Sequence, residues 1–386
     1  MKSVHLVIPD LFLPNGFAAE VCAGLSLPAL ETILGRGHSE MLDPVSLEGM
    51  LCGLFGVQDA GDAPVAAISA AFDGLAAGCW LRADPVNLNL QRDRLLLAGV
   101  RVASEEAAAL CASLNTHFAG QGIEFFAPHP QRWYVRLGEL PRIRTTPLSQ
   151  AIGGDVRAAL PAGEDASRWH QLSNEIQMLL HAHPLNEIRE VHGETIVNSV
   201  WFWGGGCDTL LAKPADCGNS RQAAPEVQGE VAIASWGGGC DRASGSVRSS
   251  GEPAGPPLAG ALLQRNFDCV SSDDVLAEMF AVAADIPFSR WPEQWRDDAC
   301  DGRQLLVWTG LRSALQHNDL PAWRTALQDF ESGYAQPILQ ALRSGRIAQL
   351  QLDVAGRDGI RSIRLTRCDT WAFWRRTRRL AEYSLT

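Results

Sequence analysis

The chain has 386 residues, of which 46% are hydrophobic and 20% are charged, a composition that excludes a disordered or fibrous protein. At this length we expect two or three domains, or one large α/β domain that carries an insertion. The formal net charge of −11 opposes general binding to nucleic acid or to an anionic membrane, because both require a basic surface. We therefore expect neither of them as a partner.

The compartment is indicated by the N-terminal residues and by the cysteines. The apolar run at 4–8 follows one lysine and is broken by Pro9, a pattern that does not fit a signal peptide. The apolar stretch 64–80 is interrupted by Asp73 and is shorter than the about 20 residues of a membrane-spanning helix. The ten cysteines include no C-x-x-C pair, so we expect them to be mostly reduced and predict a cytoplasmic protein.

The chain opens with the pattern of a strand, a loop and a helix. Residues 4–8 end before Asp10, which predicts a buried strand with an acidic residue at its carboxyl end. In open α/β sheets, ligands bind at that edge. Residues 27–34 have helical spacing and stop at Gly35, and a second apolar helix is predicted at 64–77.

Residues 80–144 resemble a compact α+β unit. Four segments with strand-like patterns are separated by turn residues: 80–88, 94–102, 122–126 and 132–137. A helix is predicted to begin with Ser104 as its N-cap and to run to 119. We predict that 80–144 is a domain inserted into the core.

The next part of the chain places glycines directly after a strand. A long helix is predicted at 165–181, and the buried-strand candidate 196–203 runs into Gly204 and Gly206. Glycines at the carboxyl end of a strand let the backbone approach an anion closely. Residues 207–265 are rich in Gly, Ser, Pro and Ala, which predicts a flexible loop, and a hexapeptide of 203–208 recurs at 236–241.

The last third of the chain alternates between helical and strand-like patterns. Helical patterning returns at Asp274, and further elements are predicted at 305–309, 320–342, 347–354 and 360–366. This alternation is typical of a mixed or parallel sheet covered by helices. We therefore predict an α/β core formed by 1–79, 145–206 and 266–386.

Two residues near the start of the chain are candidates for metal or nucleophilic chemistry. Asp10 suits a divalent metal, although an acidic residue after a strand also caps loops and helices. Ser46 suits a nucleophile at the start of a helix, but without a partner base the ordinary N-cap role is favoured. His181 and His183 belong to a second polar cluster. An H-x-H pair suits a metal on a strand, but these residues lie at a helix end, so helix capping and loop hydrogen bonds are expected for at least one of them.

Basic residues suggest a small anionic ligand. Six arginines suit bidentate recognition of a phosphate or carboxylate: Arg82, Arg132, Arg136, Arg142, Arg144 and Arg189. A small phosphorylated or carboxylate ligand is therefore a candidate, and no particular protein partner is indicated. The aromatic and basic residues at 371–379 suit a nucleic-acid tail or a packed terminal helix, and the acidic chain favours the helix.

Several blocks, in this order, resemble the archaeal-type cofactor-independent phosphoglycerate mutases of the alkaline phosphatase superfamily. The likeness extends to a proteobacterial branch catalogued as phosphoglycerate mutase or RpfE-type regulatory protein. Residues 28–37 resemble the family's "TPNLD-x-LA-x-x-G", 80–86 resemble "FRCN-L-V", and 122–132 resemble the strand before "YRH". Residues 183–189 and 197–206 resemble "HPVN-x-x-R … AN-x-IWLWG-x-G", and the likeness covers most of the chain outside 207–265.

The resemblance implies an alkaline-phosphatase-like fold and a phosphoryl transfer through a serine, assisted by two divalent cations such as Mn²⁺ or Mg²⁺. By position, Asp10 corresponds to the first metal acid and Ser46 to the nucleophile. Arg82, Asn186 and Arg189 would lie near the substrate, together with Gly204 and Gly206. The late motif keeps one histidine, His317, as a candidate metal ligand.

The late motifs depart from the family. The motif resembling "D-E-A-G-H-D-G-D" becomes 311–319, which loses the leading acid and gains Arg312, and "T-A-D-H-S" becomes 366–370 without an Asp-His pair. An arginine beside a metal position repels the cation, so we expect a dismantled two-metal site. Three hypotheses follow: a binding or regulatory protein with weak or no catalysis, an active mutase or phosphotransferase that uses Ser46, and a protein-interaction scaffold.

Overall fold

A computed structural model of the chain describes residues 2–13, 18–57, 62–207, 263–356 and 359–383. Most of the predicted loop at 207–265, including the second hexapeptide, lies outside the described residues. None of the helices in these ranges is long and apolar enough to cross a membrane.

The strands of the described chain are, in order, β1 (Ser3–Val7), β2 (His38–Leu42), β3 (Cys79–Gln91), β4 (Arg94–Gly99), β5 (Ile123–His129), β6 (Arg132–Leu137), β7 (Ile143–Arg144), β8 (Ala162–Gly163), β9 (Ser199–Cys207), β10 (Cys269–Ser272), β11 (Phe288–Arg290), β12 (Arg303–Val307), β13 (Gln349–Gly356) and β14 (Gly359–Thr366).

The α-helices of the described chain are α1 (Ala18–Val21), α2 (Pro28–Arg36), α3 (Leu47–Leu54), α4 (Val65–Phe72), α5 (Ser104–His117), α6 (Leu148–Ala151), α7 (Ala166–His181), α8 (Pro184–Val191), α9 (Val275–Ala283), α10 (Arg312–Gln316), α11 (Leu320–Phe330), α12 (Gln336–Ser344) and α13 (Leu380–Tyr383). One π-helical turn, Glu331–Ala335, joins α11 to α12, and short 3₁₀ turns lie at Val156–Ala159 and Asp369–Trp371.

The core sheet has seven strands in the order β11-β10-β12-β1-β13-β14-β2. Its first five strands are parallel, whereas β14 runs antiparallel to β13 and to β2. The parallel strands and β2 therefore end at one edge of this sheet, which we call the carboxyl edge. The predicted fold class, a mixed sheet flanked by helices, is confirmed.

Both faces of the core sheet are covered by helices. In β1, Leu6 packs with α2, α11 and α12, whereas Val7 packs on the opposite face with α3, α4 and α9. Because successive side chains of a strand point to opposite faces, the adjacent apolar residues at the end of β1 are buried on both faces. The strand β13 instead alternates polar and apolar residues over 349–354.

A second sheet is built around the long strand β3. Its strand order is β4-β3-β6-β5, β9 also pairs with β3, and all of these pairs are antiparallel. Helices α5 and α7 pack against it through a separate apolar cluster. We expected residues 199–206 in the core with 145–198, but β9 belongs to this second sheet. Residue 144 is therefore not a boundary between the two sheets.

One local expectation needs correction. The N-cap of α5 is Ala103 rather than Ser104, and Ala103 N–H donates to the Glu106 carboxylate at 2.8 Å. Six cysteines of the described ranges are reduced thiols, as the expectation of mostly reduced cysteines predicts, but Cys79 and Cys207 form a disulfide. The pairing of β3 with β9 sets these residues opposite each other across a sequence separation of 128 residues, with Cα atoms 4.1 Å apart.

Candidate functional site

The carboxyl edge of the core sheet collects the chemistry-bearing residues that follow its strands. Asp10 follows β1 and has a φ of 64°, in the left-handed region that residues other than glycine rarely adopt. Its backbone N–H donates to the Ala355 carbonyl of β13 at 3.4 Å. The main chain therefore turns sharply at Asp10 and presents its carboxylate at this edge, as the sequence predicts.

Arg312, the first residue of α10, takes the Asp10 carboxylate as its partner. Its Nε lies 3.1 Å from Asp10 Oδ2, and the two side chains are 20% and 40% exposed, respectively. Because α10 follows β12, which is parallel to and paired with β1, the topology brings the two residues together from positions 302 apart in the sequence. A guanidinium thus already neutralises the acid that the resemblance assigns to a metal.

A second acid at this edge was missed by the sequence analysis. Asp273 follows β10, and its carboxylate accepts hydrogen bonds from Thr309 N at 2.8 Å and from Thr309 Oγ1 at 3.2 Å. Burial raises the pKa of Asp273 more than these bonds and the Arg312 charge lower it. The sequence could have indicated this acid, because Asp273 and Asp274 form an acidic pair directly after the segment that becomes β10. The second member of the pair, Asp274, caps α9 through Leu276 N at 2.8 Å.

Aromatic rings form one wall beside these acids. Trp291 stacks on Tyr334 with ring centroids 4.4 Å apart, and Trp308 stacks on Phe330 at 4.5 Å. The Tyr334 hydroxyl is buried and has no hydrogen-bond partner within the described ranges, and burial raises its pKa. These rings occupy the space beside Asp273 with apolar surface.

Ser46 lies at the same edge as Asp10. Leu42, the last residue of β2, pairs with Ile360 of β14, and the chain then passes to Ser46 as the N-cap of α3. Its Oγ accepts a hydrogen bond from Gly49 N at 3.1 Å. The N-cap interpretation is therefore confirmed, and the nucleophile assignment stays a prediction that this position on the edge permits.

Arg82, the predicted substrate arginine, contacts residues of its own sheet. The side chains of Arg82 and Asp84 are 8% and 2% exposed, and Arg82 Nη2 lies 2.7 Å from Asp84 Oδ1. The guanidinium also lies over the rings of Tyr134 and Trp203, 5.2 and 5.1 Å from their centroids. A buried arginine with these partners is not available to bind a phosphate through two guanidinium N–H groups.

Asn186 and Arg189 of α8 also bind their own chain. The Asn186 amide donates to Leu180 O at 2.6 Å and accepts from Val197 N at 2.9 Å, so it joins the helix end to the segment before β9. Arg189 Nη1 lies 2.7 Å from the Glu106 carboxylate. These contacts explain the HPLNEIR motif as a connection between elements. Substrate binding by these residues stays a prediction.

Gly204, Gly206 and His317 also contact other residues of this chain. A Cβ at Gly204 would lie 2.5 Å from Val65 Cγ2, and a Cβ at Gly206 would lie 2.9 Å from Pro64 Cβ. The glycines therefore let β9 approach the start of α4 closely. His317 directly follows α10, and its Nδ1 lies 2.8 Å from Ser313 O.

The donor set does not fit the two-metal centre that the resemblance implies. Within the described ranges, no three His, Cys, Asp or Glu side chains converge so that they could hold a metal ion. Asp10 pairs with the Arg312 guanidinium and Asp273 accepts from Thr309, so each of these carboxylates already has a partner in the protein. We derive no catalytic step through a metal from this arrangement.

The fold and the carboxyl edge define a mixed α/β protein whose relatives by sequence are phosphoglycerate-mutase-like. No family model matches the chain. The chain is 28% identical over 107 residues to a 2,3-bisphosphoglycerate-independent phosphoglycerate mutase of Methanosarcina mazei, which is 27% of each protein. It is 37% identical over 60 residues to a probable enzyme of the same description from Geobacter sulfurreducens, covering 16% of this chain and 15% of that one. The matched region is thus about a quarter or less of each relative.

A solved structure shows the fold over nearly the whole chain. The PH0037 protein from Pyrococcus horikoshii superposes with a TM-score of 0.51 at 12% identity, covering 99% of this chain and 92% of that one. A cofactor-independent phosphoglycerate mutase from Thermoplasma acidophilum covers 95% of this chain and 90% of that one at 12% identity, with a TM-score of 0.41. At such identity, the PH0037 likeness shows the fold alone.

Proposed function

We propose that this chain is a phosphoglycerate-mutase-like protein in which metal-dependent catalysis is lost or greatly weakened, and that it acts by binding or regulation. The observation that carries this proposal is the 3.1 Å ion pair between Arg312 and Asp10. Asp10 is the residue that the resemblance assigns to the first metal, and a positive group beside it repels a divalent cation.

The ligand in this proposal is a small phosphorylated or carboxylate molecule. The sequence matches to phosphoglycerate mutases support a phosphoglycerate as the first compound to test. Membership of the RpfE-type regulatory branch and a cytoplasmic location belong to the same proposal. They rest on the sequence patterns alone.

The test combines metal analysis, an activity assay and a binding assay on the full chain. We expect no stoichiometric Mn²⁺ or Mg²⁺ after purification, and no interconversion of 3- and 2-phosphoglycerate with added Mn²⁺. We also expect 3-phosphoglycerate to raise the melting temperature, because a ligand that binds only the folded state stabilises it by RT ln(1 + [L]/Kd). Turnover at an ordinary enzymatic rate would contradict the loss of catalysis, and an unchanged melting temperature would contradict the proposed ligand.

An active metal-dependent mutase or phosphotransferase is the second candidate. One observation favours it: Ser46 lies at the N-terminus of α3, on the same edge of the sheet as Asp10. In that case Ser46→Ala abolishes Mn²⁺-dependent turnover, whereas Ser173→Ala on α7, a helix that packs against the second sheet, leaves it unchanged. Full activity of the Ser46→Ala variant would exclude this serine as the nucleophile.

A further inference from the structure

Among the described residues, one side of β2 has no paired strand. β14 pairs with β2 from Ile360↔Leu42 to Arg364↔His38, and in the described chain no strand pairs with its other side. All five residues of β2 are exposed, including Met41 at 53%. An edge strand with free N–H and C=O groups is a template for another strand, and proteins block such edges with charges, proline or a covering element. β2 has Glu40 as its one acidic residue and contains no proline.

An aromatic and basic segment, residues 371–378, lies at the amino end of β2. Arg375 Nη1 donates to Arg36 O at 2.6 Å, and Arg375 Nη2 lies 3.3 Å from His38 Nε2. The Asp369 carboxylate is also 3.3 Å from His38 Nε2. These contacts fix the position of the segment relative to the first residue of the strand.

The 371–378 segment exposes large apolar surface. Trp371, Phe373 and Trp374 are 63%, 82% and 71% exposed, and Arg376 and Arg378 are exposed beside them. Adjacent exposed aromatic side chains mark interaction surfaces, and Trp and Arg are the residue types enriched at the energetic centres of interfaces.

The carboxyl end of β2 has the complementary character. Leu42 and Val45 are 43% and 36% exposed, and the exposed Asp43 lies between them. One end of the strand therefore presents aromatic and positive groups, and the other end presents aliphatic and negative groups. A strand with such ends matches an antiparallel copy of itself.

We propose that β2 is a self-association surface at which a second copy of this chain adds its own β2 in antiparallel orientation. A two-fold axis through Ser39 sets His38 of each strand opposite Glu40 of the other, so that no like charges face each other. The segment 371–378 of each copy then meets residues 41–45 of the other copy. Each contact is made twice, as in an isologous dimer, and the two core sheets become one continuous sheet.

Charge favours a second copy over a basic partner. Residues 359–383 contain seven arginines and two acidic residues, whereas the whole chain has a net charge of −11. The rest of the chain is therefore strongly acidic, and Asp43 and Glu40 belong to that acidic part. Opposite charges at the two ends of β2 fix the antiparallel orientation more than they add affinity.

The experiment measures the molar mass of the full chain in solution by sedimentation equilibrium at physiological salt. We expect a dimer with twice the mass of the 41.8 kDa chain. Met41→Lys places a charge on the strand edge, and Trp374→Ser removes an exposed anchor, so each variant weakens the dimer by about tenfold or more. Both side chains are exposed, so circular dichroism and the melting temperature of the monomers stay unchanged.

Leu90→Lys is the matched control, because Leu90 is an apolar residue on a strand, 70% exposed, in the second sheet. This variant is expected to remain dimeric. The proposal is overturned if the unmodified chain is a monomer, if the dimer survives both Met41→Lys and Trp374→Ser, or if Leu90→Lys weakens it equally. Such results would place any association on another surface or show that it is nonspecific.

Discussion

In the second sheet, Arg82 stabilises the fold through a buried ion pair, although the sequence suggests that it binds a ligand. Asp84 is 1% exposed and holds three groups: the Arg82 guanidinium, Trp133 N at 3.2 Å and Trp203 Nε1 at 2.8 Å. Such a buried network stabilises the fold only when all of its members are paired. Removing Asp84 therefore leaves a buried guanidinium and two N–H donors without partners.

We predict that Asp84→Ala lowers the free energy of unfolding by about 3–5 kcal/mol, the range for breaking a buried ion pair. Urea denaturation measures this loss. The Arg82→Ala/Asp84→Ala double variant is expected to lose less than the sum of the single losses, because no unpaired charge remains. In contrast, Asp298→Ala, which removes an exposed partner 3.7 Å from Arg296, causes little change. Equal effects at the two sites would refute the buried network.

His183 links α8 to α5 and gives a pH dependence. Its Nδ1 accepts a hydrogen bond from Leu185 N at 3.2 Å as the N-cap of α8, and its Nε2 lies 3.0 Å from Ser113 Oγ. Only the neutral ring can accept the hydrogen bond from Leu185 N, and burial lowers the pKa of His183. The capping role expected for at least one residue of this histidine pair is confirmed.

Because the folded-state pKa of His183 lies below the unfolded value of about 6.5, its contribution is complete above that pH. It is lost as the pH falls through the folded-state pKa. We predict that the free energy of unfolding of the unmodified chain falls more steeply below pH 6.5 than that of His183→Asn, because asparagine caps the helix without titrating. Urea denaturation from pH 5 to 8 measures both curves. Parallel curves would contradict this role of His183.

Among the elements, the helix from Leu320 to Ser344 is continuous but contains one π-helical turn, Glu331–Ala335. This turn directs the buried Glu331 carboxylate at the start of α2, where it accepts from Ala29 N at 2.7 Å and from Leu30 N at 3.0 Å. These N–H groups have no partner within their own helix, and a carboxylate there also interacts favourably with the helix dipole.

Glu331→Ala is expected to destabilise the protein by about 2–4 kcal/mol, because it leaves two buried N–H groups unpaired and creates a cavity. Glu331→Gln keeps an acceptor oxygen and a similar volume, so its loss is smaller. Thermal and urea unfolding of both variants measures the difference. If both substitutions had the same effect, the charge would matter and the hydrogen-bond geometry would not.

The disulfide joins the first residue of β3 to the last residue of β9. A cross-link between positions this far apart in the sequence reduces the freedom of the unfolded chain, so its removal costs about 2–4 kcal/mol. We predict that a reducing agent lowers the melting temperature of the unmodified chain. The Cys79→Ser/Cys207→Ser variant melts at that lower temperature with or without the reductant. A response of this variant to the reductant would assign the effect to another cysteine.

At the scale of the whole molecule, the described chain forms two large sheets and the two-stranded sheet β7-β8, and the proposed function predicts that none of them depends on a bound metal. Treatment with EDTA is expected to leave the melting temperature unchanged, because the Asp10 and Asp273 carboxylates are neutralised or hydrogen-bonded by the protein itself. Arg312→Ala frees the Asp10 carboxylate, and we expect it to increase the affinity for Mn²⁺ in calorimetric titration. A fall in melting temperature with EDTA would show that a metal contributes to the folded state.

The sequence by itself determined the elements with strong local signals. The apolar runs of β1 and β12, the alternating pattern of β13, the helices α2 and α7, and the strands β3 to β6 follow from periodicity, because a buried strand or an amphipathic helix imposes its own spacing. It also determined that an acidic residue ends β1, and that Arg312 stands where the resemblance expects a metal-binding motif.

Only the tertiary structure decided which of these residues meet. The pairing of Arg312 with Asp10, the disulfide between Cys79 and Cys207, and the position of β9 in the second sheet all join residues more than a hundred positions apart. Local spacing carries no information about such pairs, since they depend on the order of strands in a sheet. For the same reason, Arg82 and Asn186 suit a ligand in the sequence, yet they bind their own chain in the fold.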